Sequence, residues 1–572
     1  MRIAPADINL AHLDALSTRI DVDGRSMLAT SIYADAPGYE PIGDLDEGIA
    51  CVDDVARAAV TYLDEHARTG SAHALTQARG ALEFTLYMQE PDGRFVNFIT
   101  DRAGTKNRTH ETSRADLGWW AFRGMWALAR GYRTFRDADP AYAARLLEAY
   151  GRTERALVET LGRSGSSTMT SRGRSMPAWL DQIAPDAASV AALGLAEMLE
   201  ARPNEATRGA LDAVASGIAK VRVRHGEGGA FDHAGHTPAN PELWHSWGAH
   251  QGEALARAGH LLGRADLVDV ARREVEGLLA WQLAAGRIQD LSPGPRREGQ
   301  QAYGVSMAVR GAMALHNATG DDRYAQMAGL HASWFAGNNM AHAPMYDAAT
   351  GRGYDGIDAP PRLRNMSSGA ESTIEALMAL QTISSSPEAL RMASLEQATP
   401  PHTWIRVRAD AIRTAGDAPA PIVTRPTSAA AGSPPVRLAE LAPGTRASID
   451  VQVDEPGMYV LLGGRMRDAG PGASTTLRFE VDDRTVAVLA PTPGADGAHV
   501  ALDRAVGAPV RLERGTHRIW IDASGPTGAA PALLEGVVVH PAVARTELVG
   551  PNERVTVRYD IEAGRLSIDE RS

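Results

Sequence analysis

The spacing of apolar residues between about residues 50 and 383 is the feature that most restricts the fold. Segments with helical periodicity occur in pairs, and the two members of a pair are joined by short links such as Thr69-Gly70 and Gly263-Arg264. Short links make consecutive helices antiparallel neighbours. Long links rich in polar and aromatic residues separate one pair from the next. Six helical hairpins with this alternation predict an (α/α)6 toroid, in which a ring of inner helices lies inside a second layer.

The predicted helices are rich in Ala, Leu, Arg and Glu, which favour helix formation. They span about 50–68, 72–90, 115–136, 139–162, 185–201, 204–223, 247–262, 265–284, 300–318, 321–336 and 367–383, with a weaker one near 386–397. We therefore predict that residues 1–400 form a catalytic toroid domain with an N-terminal extension.

The composition changes near residue 398. A Pro-rich segment, 398–401, is followed by runs in which apolar and polar residues alternate, for example 447–453 and 517–521. Period-two alternation between Gly, Pro and Asp turns predicts a β-sandwich, which we place at 402–545. The tail, 546–572, is predicted to add an edge strand or to be partly ordered. The predicted fold class is therefore mainly α, with a toroid followed by a C-terminal β-sandwich that resembles a carbohydrate-binding domain.

Charge and hydropathy exclude several classes of partner. The chain has 572 residues and a net charge of -12 at pH 7, whereas nucleic-acid binding needs a basic face. The sequence contains no run of about 18 apolar residues, which a transmembrane helix would need. We therefore expect no membrane partner. Residues 1–10 lack the basic and apolar regions of a secretory signal. We therefore expect a cytoplasmic protein, unless an export signal has been removed. The sequence leaves the oligomeric state open.

No cofactor and no metal site are predicted. His245 and His250 are five residues apart, which is not the i, i+4 spacing that places two ligands on one helix face. No cluster of Cys and His residues lies near them, and the single cysteine, Cys51, excludes an intrachain disulfide. The segment 351–353 lacks the Gly-Lys-Ser/Thr of a phosphate loop.

Acidic residues occur in the loops and helix starts that a toroid would gather at one rim. These residues are Asp53, Asp54, Glu111, Asp181 and Glu371. Glycosidic cleavage needs an acid for the leaving oxygen and a carboxylate that acts as base or nucleophile. The first and last hairpins become neighbours when the ring closes. We therefore predict that Asp54 or Asp53 pairs with Glu371 in catalysis, with Glu111 and Asp181 as substitutes.

Residues suited to binding a sugar lie in the same segments. Sugars present apolar ring faces that stack on aromatic side chains, while polar side chains bind their hydroxyl groups. The predicted substrate-binding residues are Trp119, Trp120, Trp179, Trp244, His245, Arg364 and Asn365.

The same residues also have a purely structural interpretation. Ser368 and Glu371 have the spacing of a capping box, and the helix dipole alone favours an acid in a first turn. Adjacent residues point about 100° apart on a helix, so only one of Asp53 and Asp54 is expected to face the centre. Trp119 and Trp120 fit a hydrophobic core as well as a binding surface.

Three motifs resemble a family of carbohydrate-associated (α/α)6-toroid proteins, which is similar to six-hairpin glycosidases and to toroids fused to glycosyltransferases. The motifs are Asp-Asp-Val-Ala-Arg-Ala at 53–58, a turn-rich segment at 334–356, and the segment from Asn365 to Glu371. The resemblance covers about residues 45–385. It implies the toroid fold and an association with sugars. Val55 stands where Asn is expected in the fused forms.

The residues together favour a glycoside hydrolase that cleaves an oligosaccharide or polysaccharide in a rim cleft. Two alternatives stay open. A polysaccharide lyase can also combine a toroid with a β domain; Tyr303 or His245 would then abstract the proton beside a uronate, while Arg364 and Asn365 would neutralise its carboxylate. The second alternative is a non-catalytic glycan-binding protein.

Overall fold

Six helical hairpins form a two-layered ring in the computed structural model of the chain. The structure describes residues 3–4, 7–171, 173–224, 229–238, 240–291, 294–359, 364–427, 434–467, 475–491 and 498–571. Helix α1 (Ala11–Leu16) precedes the ring. The hairpins are α2 (Val52–Thr69) with α3 (Ala72–Met88), α4 (Trp119–Phe135) with α5 (Pro140–Ser164), α6 (Pro185–Ala201) with α7 (Glu205–Ile218), α8 (Gln251–Leu262) with α9 (Ala265–Glu274) and α10 (Ala280–Ala285), α11 (Ala302–Thr319) with α12 (Asp322–Ala336), and α13 (Ala370–Ile383) with α14 (Pro387–Ala393).

Burial separates the two helical layers. Helices α2, α4, α6, α8, α11 and α13 pack in that order, and α13 closes the ring on α2. The inner helix α6 is buried at every position except Glu200. The outer helix α5 instead buries one stripe, which includes Tyr142, Leu146, Ala149 and Thr153, as expected of an amphipathic helix. The predicted (α/α)6 toroid is therefore confirmed.

The outer helix of the fourth hairpin differs from the single helix predicted over 265–284. One π-turn, Val275–Leu279, separates α9 from α10. The backbone N–H of Leu278 donates to the Asp232 carbonyl over 3.1 Å. A Cβ atom at Gly277 would lie 2.5 Å from the same carbonyl oxygen. The close approach of the Asp232 loop therefore interrupts the helix at the one residue that leaves room for it.

Loops that enter the inner helices meet at one rim, where short antiparallel ladders join them. Ala50–Cys51 pairs with Phe98–Ile99, and Gln300–Gln301 pairs with Gly356–Ile357. The other short strands in this part of the chain are Ser17–Val22 with Arg25–Thr30, Tyr33–Ala34 with Pro41–Ile42, Thr168–Ser171 with Arg174–Pro177, Arg222–Val223 with His233–Ala234, Trp244–His245 with Asp290–Leu291 and Pro295–Arg296, and Tyr346–Asp347 with Arg352–Gly353. These ladders fix the loops around the central opening.

The C-terminal part contains a β-sandwich, as predicted. One antiparallel sheet runs in the order Ile422–Pro426, Pro435–Leu441, Ala532–Pro541, Gly457–Arg467 and His499–Arg504, with Ile405–Arg408 on Ala532–Pro541 and Val510–Leu512 on Gly457–Arg467. The facing sheet runs in the order Arg446–Val453, Gly515–Ser524, Thr476–Val481 and Arg484–Leu489. Side chains such as Leu461, Phe479, Ile519 and Val537 fill the space between the two sheets.

A further four-stranded sheet connects the sandwich to the toroid. Its order is Glu396–His402, Val543–Val549, Arg554–Asp560 and Arg565–Arg571, so the tail segment supplies regular strands. Leu548 and Val557 from this sheet belong to the same hydrophobic core as the toroid helices. The Trp281 indole of α10 also donates a 2.7 Å hydrogen bond to His540 Nε2. The division of the chain near residues 400 and 545 stays a prediction.

Among the described residues, no helix combines the length and the apolar character needed to cross a bilayer.

Candidate active site

An open cleft of about 520 Å³ lies at the rim where the inner helices begin. Its acidic side chains are Glu47, Asp53, Asp54, Asp355 and Glu371, and its aromatic side chains are Tyr33, Phe98, Trp119, Trp120, Trp247 and Tyr303. The loops and first turns at the starts of α2, α4, α8, α11 and α13 contribute lining residues. The cleft thus combines carboxylates with flat apolar rings.

Arg57 links the first and last inner helices beneath this cleft. Its Nη2 donates to Asp54 Oδ1 over 2.8 Å and to Glu371 Oε2 over 2.9 Å, and lies 3.4 Å from Asp53 Oδ2. Its Nη1 donates to Glu375 Oε1 over 2.7 Å. Arg57 and Glu375 are each only 1% exposed. One buried guanidinium therefore closes the ring and holds the predicted carboxylates together.

The three predicted carboxylates are close neighbours. One oxygen from each of Asp53, Asp54 and Glu371 lies within 4.8 Å of the others. Their sequence separation of more than 300 residues is bridged because α2 and α13 are adjacent in the closed ring. This upper limit of 4.8 Å lies just below the separation of about 5–5.5 Å between the two carboxyl groups of retaining glycosidases.

Asp53 and Asp54 face different surroundings, as their adjacent positions on a helix require. The Asp53 side chain is 24% exposed and contacts both Arg57 and Arg123. Its backbone N–H donates to Asn97 Oδ1 over 3.1 Å, which anchors the helix start to the neighbouring loop. The Asp54 side chain is only 5% exposed. Asp53 is therefore the aspartate that is more open to the cleft.

Cys51 fixes Asp54 in a reciprocal N-cap. The Cys51 sulfur accepts from the Asp54 backbone N–H over 3.4 Å, and its thiol donates to Asp54 Oδ2 over 3.2 Å. Burial and the Asp54 charge raise the pKa of the Cys51 thiol well above its usual range, so it remains a donor. Burial also raises the pKa of Asp54, although Arg57 opposes this rise.

The pKa of Glu371 is shifted upward. Loss of solvent raises the pKa of Glu371 to about 7; Arg57 opposes the rise and the Asp54 charge adds to it. Its side chain is 41% exposed, toward the cleft. A bound substrate would displace water from that side and strengthen the effect. By contrast, Arg57 holds the pKa of the neighbouring Glu375 below its usual range despite full burial.

Aromatic rings form one wall of the cleft. The rings of Trp119 and Trp247 lie 6.2 Å apart, and the Trp120 indole donates to the Phe95 carbonyl over 2.8 Å. Trp247 is 44% exposed. Gly248 has φ +72°, and a Cβ atom there would lie 2.3 Å from the Trp119 ring. The turn after Trp247 therefore depends on glycine both for its backbone conformation and for the position of Trp119.

Four of the predicted residues lie away from the cleft. Glu111 and Asp181 are exposed and do not line it. Trp179 and Trp244 are buried, with 4% and 1% exposure. The Trp179 ring lies so close to Gly217 that a Cβ atom there would be 2.2 Å away. Both tryptophans therefore pack in the core.

The remaining predicted binding residues divide between the cleft and its surroundings. Asn365 lines the cleft, and its Oδ1 accepts from the Ser367 backbone N–H over 3.1 Å. Arg364 instead lies over the Tyr354 ring, 5.2 Å from its centroid. His245 lies behind the aromatic wall, where it stacks on Trp247 with the centroids 3.7 Å apart.

His245 belongs to a buried group with Asp186 and His236. His236 Nδ1 and His245 Nε2 are 3.0 Å apart, and Asp186 Oδ2 lies 3.7 Å from the same His245 nitrogen. His245 Nδ1 contacts the Trp247 carbonyl, so it carries the proton and leaves Nε2 as an acceptor. Burial raises the pKa of Asp186 to about 7 and lowers that of His245 to about 4. Two imidazoles and a carboxylate in this arrangement could ligate a divalent cation such as Zn²⁺, or form a hydrogen-bonded cluster.

The cluster of Asp53, Asp54 and Glu371 in the cleft, unlike the buried histidine cluster, has arginine side chains as its positive partners. Arg57 donates to Asp54 and Glu371, and Arg123 contacts Asp53. These guanidinium groups supply the positive charge that a metal ion would otherwise bring. The charge of the three carboxyl groups is therefore balanced by the protein's own guanidinium groups.

Several cleft residues were not predicted from the sequence. Glu47 accepts from the Thr112 hydroxyl over 2.6 Å, and Asp355 accepts from the Ser372 hydroxyl over 2.6 Å. Arg123 lies one helical turn into α4 and therefore on the side of the helix that faces Asp53. The helical spacing between Trp119 and Arg123, i to i+4, is a signal that could have identified Arg123 as a cleft residue.

No protein-family model matches the chain, and no curated protein matches it. Similar solved structures include a cellobiose 2-epimerase from Bacillus thermoamylovorans, 13% identical, which covers 65% of this chain and 95% of its own with a TM-score of 0.47. A D-mannose isomerase is 12% identical over 62% of this chain and 91% of its own, with a TM-score of 0.46. An inactive variant of an α-1,6-mannanase from a Salegentibacter species is 12% identical over 63% of this chain and 93% of its own, with a TM-score of 0.40. Those names describe enzymes that act on sugars. At such low identities and TM-scores, the toroid assignment rests on the helices described above.

Proposed function

We propose that this protein is a glycoside hydrolase that cleaves a neutral oligosaccharide or polysaccharide in the rim cleft. The observation that carries the proposal is the contact of Glu371 with the paired aspartates through Arg57. One carboxyl group has a raised pKa and faces the cleft, and two further carboxyl groups lie beside it. This is the combination that acid-assisted glycosidic cleavage requires.

In this proposal Glu371 is the general acid. A pKa of about 7 keeps much of it protonated near neutral pH, so it can donate to the leaving oxygen. Asp53 is the proposed carboxylate that attacks carbon or activates water, since it is more exposed than Asp54 and contacts both Arg57 and Arg123. Asp54 is proposed to position Arg57 from its buried N-cap.

The charge of the cleft argues against the lyase alternative. Among its described lining residues, five carboxylates face the cleft and Arg123 is the single cation. A uronate carboxylate would be repelled, because Arg123 already contacts Asp53. Burial and the Glu371 charge raise the pKa of Tyr303, so its phenol stays protonated near neutral pH and is not available to accept a proton. The geometry therefore favours neutral sugars.

The test is turnover of a panel of neutral α- and β-linked oligosaccharides, with products separated by chromatography and identified by mass. Glu371→Gln and Asp53→Asn should each lower the rate at least about a hundredfold with folding intact, because an amide cannot transfer the proton or attack carbon. Asp54→Asn should have a smaller effect through Arg57. Glu205→Gln is the matched control, because Glu205 is an exposed acid in a helical first turn outside the cleft.

Three outcomes would count against the proposal. Near-normal rates in the Glu371 and Asp53 variants would reject the carboxylate pair. Products with new ultraviolet absorbance would indicate an unsaturated uronate and therefore a lyase. Conversion of a sugar to an isomer of unchanged mass would indicate epimerisation or isomerisation at the same cleft.

A further inference from the structure

A second cavity, of about 220 Å³, lies between the toroid and the C-terminal sheet. The segment after α10 and the helix α12 form one wall, and residues 397–403 with Thr546 and Leu548 form the other. None of its described lining residues also lines the rim cleft. It is therefore a separate cavity, with chemistry of its own.

The hydrogen bond between Arg287 and His331, two residues of the cavity lining, determines which nitrogen of His331 carries the proton. Arg287 Nη2 lies 2.7 Å from His331 Nδ1. A guanidinium can only donate, so His331 Nδ1 accepts and the ring proton must be on Nε2. His331 is 1% exposed, and its Nε2 has no hydrogen-bond partner. Arg287 Nη1 is also buried without a partner.

Gln282 adds a third donor. Its Oε1 accepts from the Ile288 backbone N–H over 3.3 Å, which orients the amide and leaves Nε2 as the free end. Gln282 Nε2 is buried and has no partner. Three different side chains in the lining thus hold unpaired N–H groups. Buried donors in folded proteins are nearly always paired, so this concentration indicates an acceptor that binds there.

The charge of the cavity indicates the same kind of ligand. No Asp or Glu occurs among its described lining residues, although Arg287 and Arg297 both line it. Arg297 lies over the Trp404 ring, 4.1 Å from the centroid, and donates to the Trp404 carbonyl. Burial lowers the pKa of Arg287 to about 9, because no carboxylate compensates it. A buried guanidinium without a counter-charge is unfavourable, and an anion would remove that penalty.

We propose that this cavity binds a small oxyanion, namely a carboxylate or phosphate group, through Arg287, His331 and Gln282. Donor-only groups match oxygens that only accept, and Arg binds planar carboxylates and phosphates through two parallel hydrogen bonds. Because toroid and sheet each supply a wall, the bound anion would join them and stabilise the folded chain by an amount that grows with the logarithm of anion concentration above Kd.

The test uses the full chain, freed of polyvalent anions in Tris chloride at constant ionic strength. Inorganic phosphate and acetate are titrated separately by calorimetry and by thermal denaturation. Saturable binding and a rise in Tm with at least one of them are expected, and the preferred anion identifies the group. Arg287→Met should weaken binding at least about tenfold, since it removes the guanidinium.

Gln282→Met provides an independent variant if Arg287→Met does not fold, because it removes one donor at nearly constant volume. Arg296→Met is the matched control; Arg296 is nearby, exposed, paired with Asp290 and absent from the cavity lining. Failure of both anions to bind saturably would overturn the proposal. Binding that is unchanged in both cavity variants would overturn it as well.

Discussion

Replacement of Arg57 by Met tests whether the buried cation holds the toroid closed. Met has a similar length and no charge, so the change removes the guanidinium while much of the volume stays. Glu375 would lose the one donor that the described residues give it, because Arg57 Nη1 binds its Oε1 and none of them binds its Oε2. Asp54 would lose the donor to its Oδ1.

The expected loss is large because the Arg57–Glu375 pair is buried on both sides, with 1% side-chain exposure for each residue. Removal of one partner from a buried ion pair costs about 3–5 kcal/mol of unfolding free energy. Glu371 and Asp53 are more exposed, so their lost contacts add little. We therefore expect Arg57→Met to lower the unfolding free energy by roughly 3–5 kcal/mol at pH 8.

The loss should also depend on pH. Arg57 now keeps the pKa of Glu375 low against the effect of burial. Without Arg57, burial would raise that pKa above the unfolded value, so the folded variant would take up a proton. A group whose pKa is higher in the folded state stabilises that state fully at pH values below its unfolded-state pKa. This stabilisation is lost as pH rises through the folded-state pKa. The loss of unfolding free energy in Arg57→Met should therefore be smaller at pH 5 than at pH 8. Adding Glu375→Gln to this variant should recover part of the loss.

Urea unfolding followed by tryptophan fluorescence provides the measurement, since eight of the ten Trp residues precede residue 335 and report on the toroid. Arg145→Met is the control. Arg145 binds Glu83 with two 2.9 Å hydrogen bonds but is 51% exposed, so its loss should cost under about 1 kcal/mol. A variant at Arg57 that is as stable as the wild type at pH 8, or a deficit equal at both pH values, would refute the reasoning.

Further predictions concern stability, binding and catalysis. Glu274→Gln should raise the unfolding free energy by roughly 1–3 kcal/mol in urea at pH 8 and by less at pH 6, because burial raises the pKa of Glu274 to about 8 and the amide carries no charge at either pH. Gly248→Ala should raise KM several-fold with a smaller change in kcat, since its Cβ would displace the Trp119 ring; unchanged steady-state kinetics would contradict this. Wild-type kcat/KM should fall as pH rises above about 7, where Glu371 loses its proton, and Glu371→Gln should remove this dependence. The first product seen by proton NMR should retain its anomeric configuration, because carboxylate oxygens within 4.8 Å leave no room for an intervening water; inversion would exclude Asp53 as nucleophile.

Most of the fold could be predicted from the sequence because hairpin length, link length and helical period are local properties. The predicted 185–201 helix matches α6 at both ends. The break at Gly277 could not be predicted, since its cause is the Asp232 carbonyl of a distant loop. Likewise, alternation identifies the strands near 543–571 only weakly, and their docking on the toroid depends on apolar residues such as Leu548 and Val557, which belong to the toroid core.

The site could be predicted where ring closure alone determines proximity. Asp53, Asp54 and Glu371 meet because their helices are the first and last of the inner ring. Exposure could not be predicted in the same way. Trp179 and Trp244 occur at rim segments in the sequence but pack inward, and Gly217 leaves the space that the Trp179 ring occupies. A tryptophan near a helix start thus fits either a sugar platform or the core.

The seam between α2 and α13 makes formation of the ring and formation of the candidate site a single event. Arg57 and Asp54 come from one side of the seam, and Glu371 and Glu375 from the other. The amide of Gln381 extends the seam with a 3.1 Å hydrogen bond to the Thr61 carbonyl. On either helix alone, these charged side chains would be surrounded by water and would interact only weakly. Only the closed ring supplies the low-dielectric surroundings that raise the pKa of Glu371. The raised pKa of the proposed acid, Glu371, therefore depends on the assembled ring, and the long sequence separation between Glu371 and Asp53 does not prevent them from acting together.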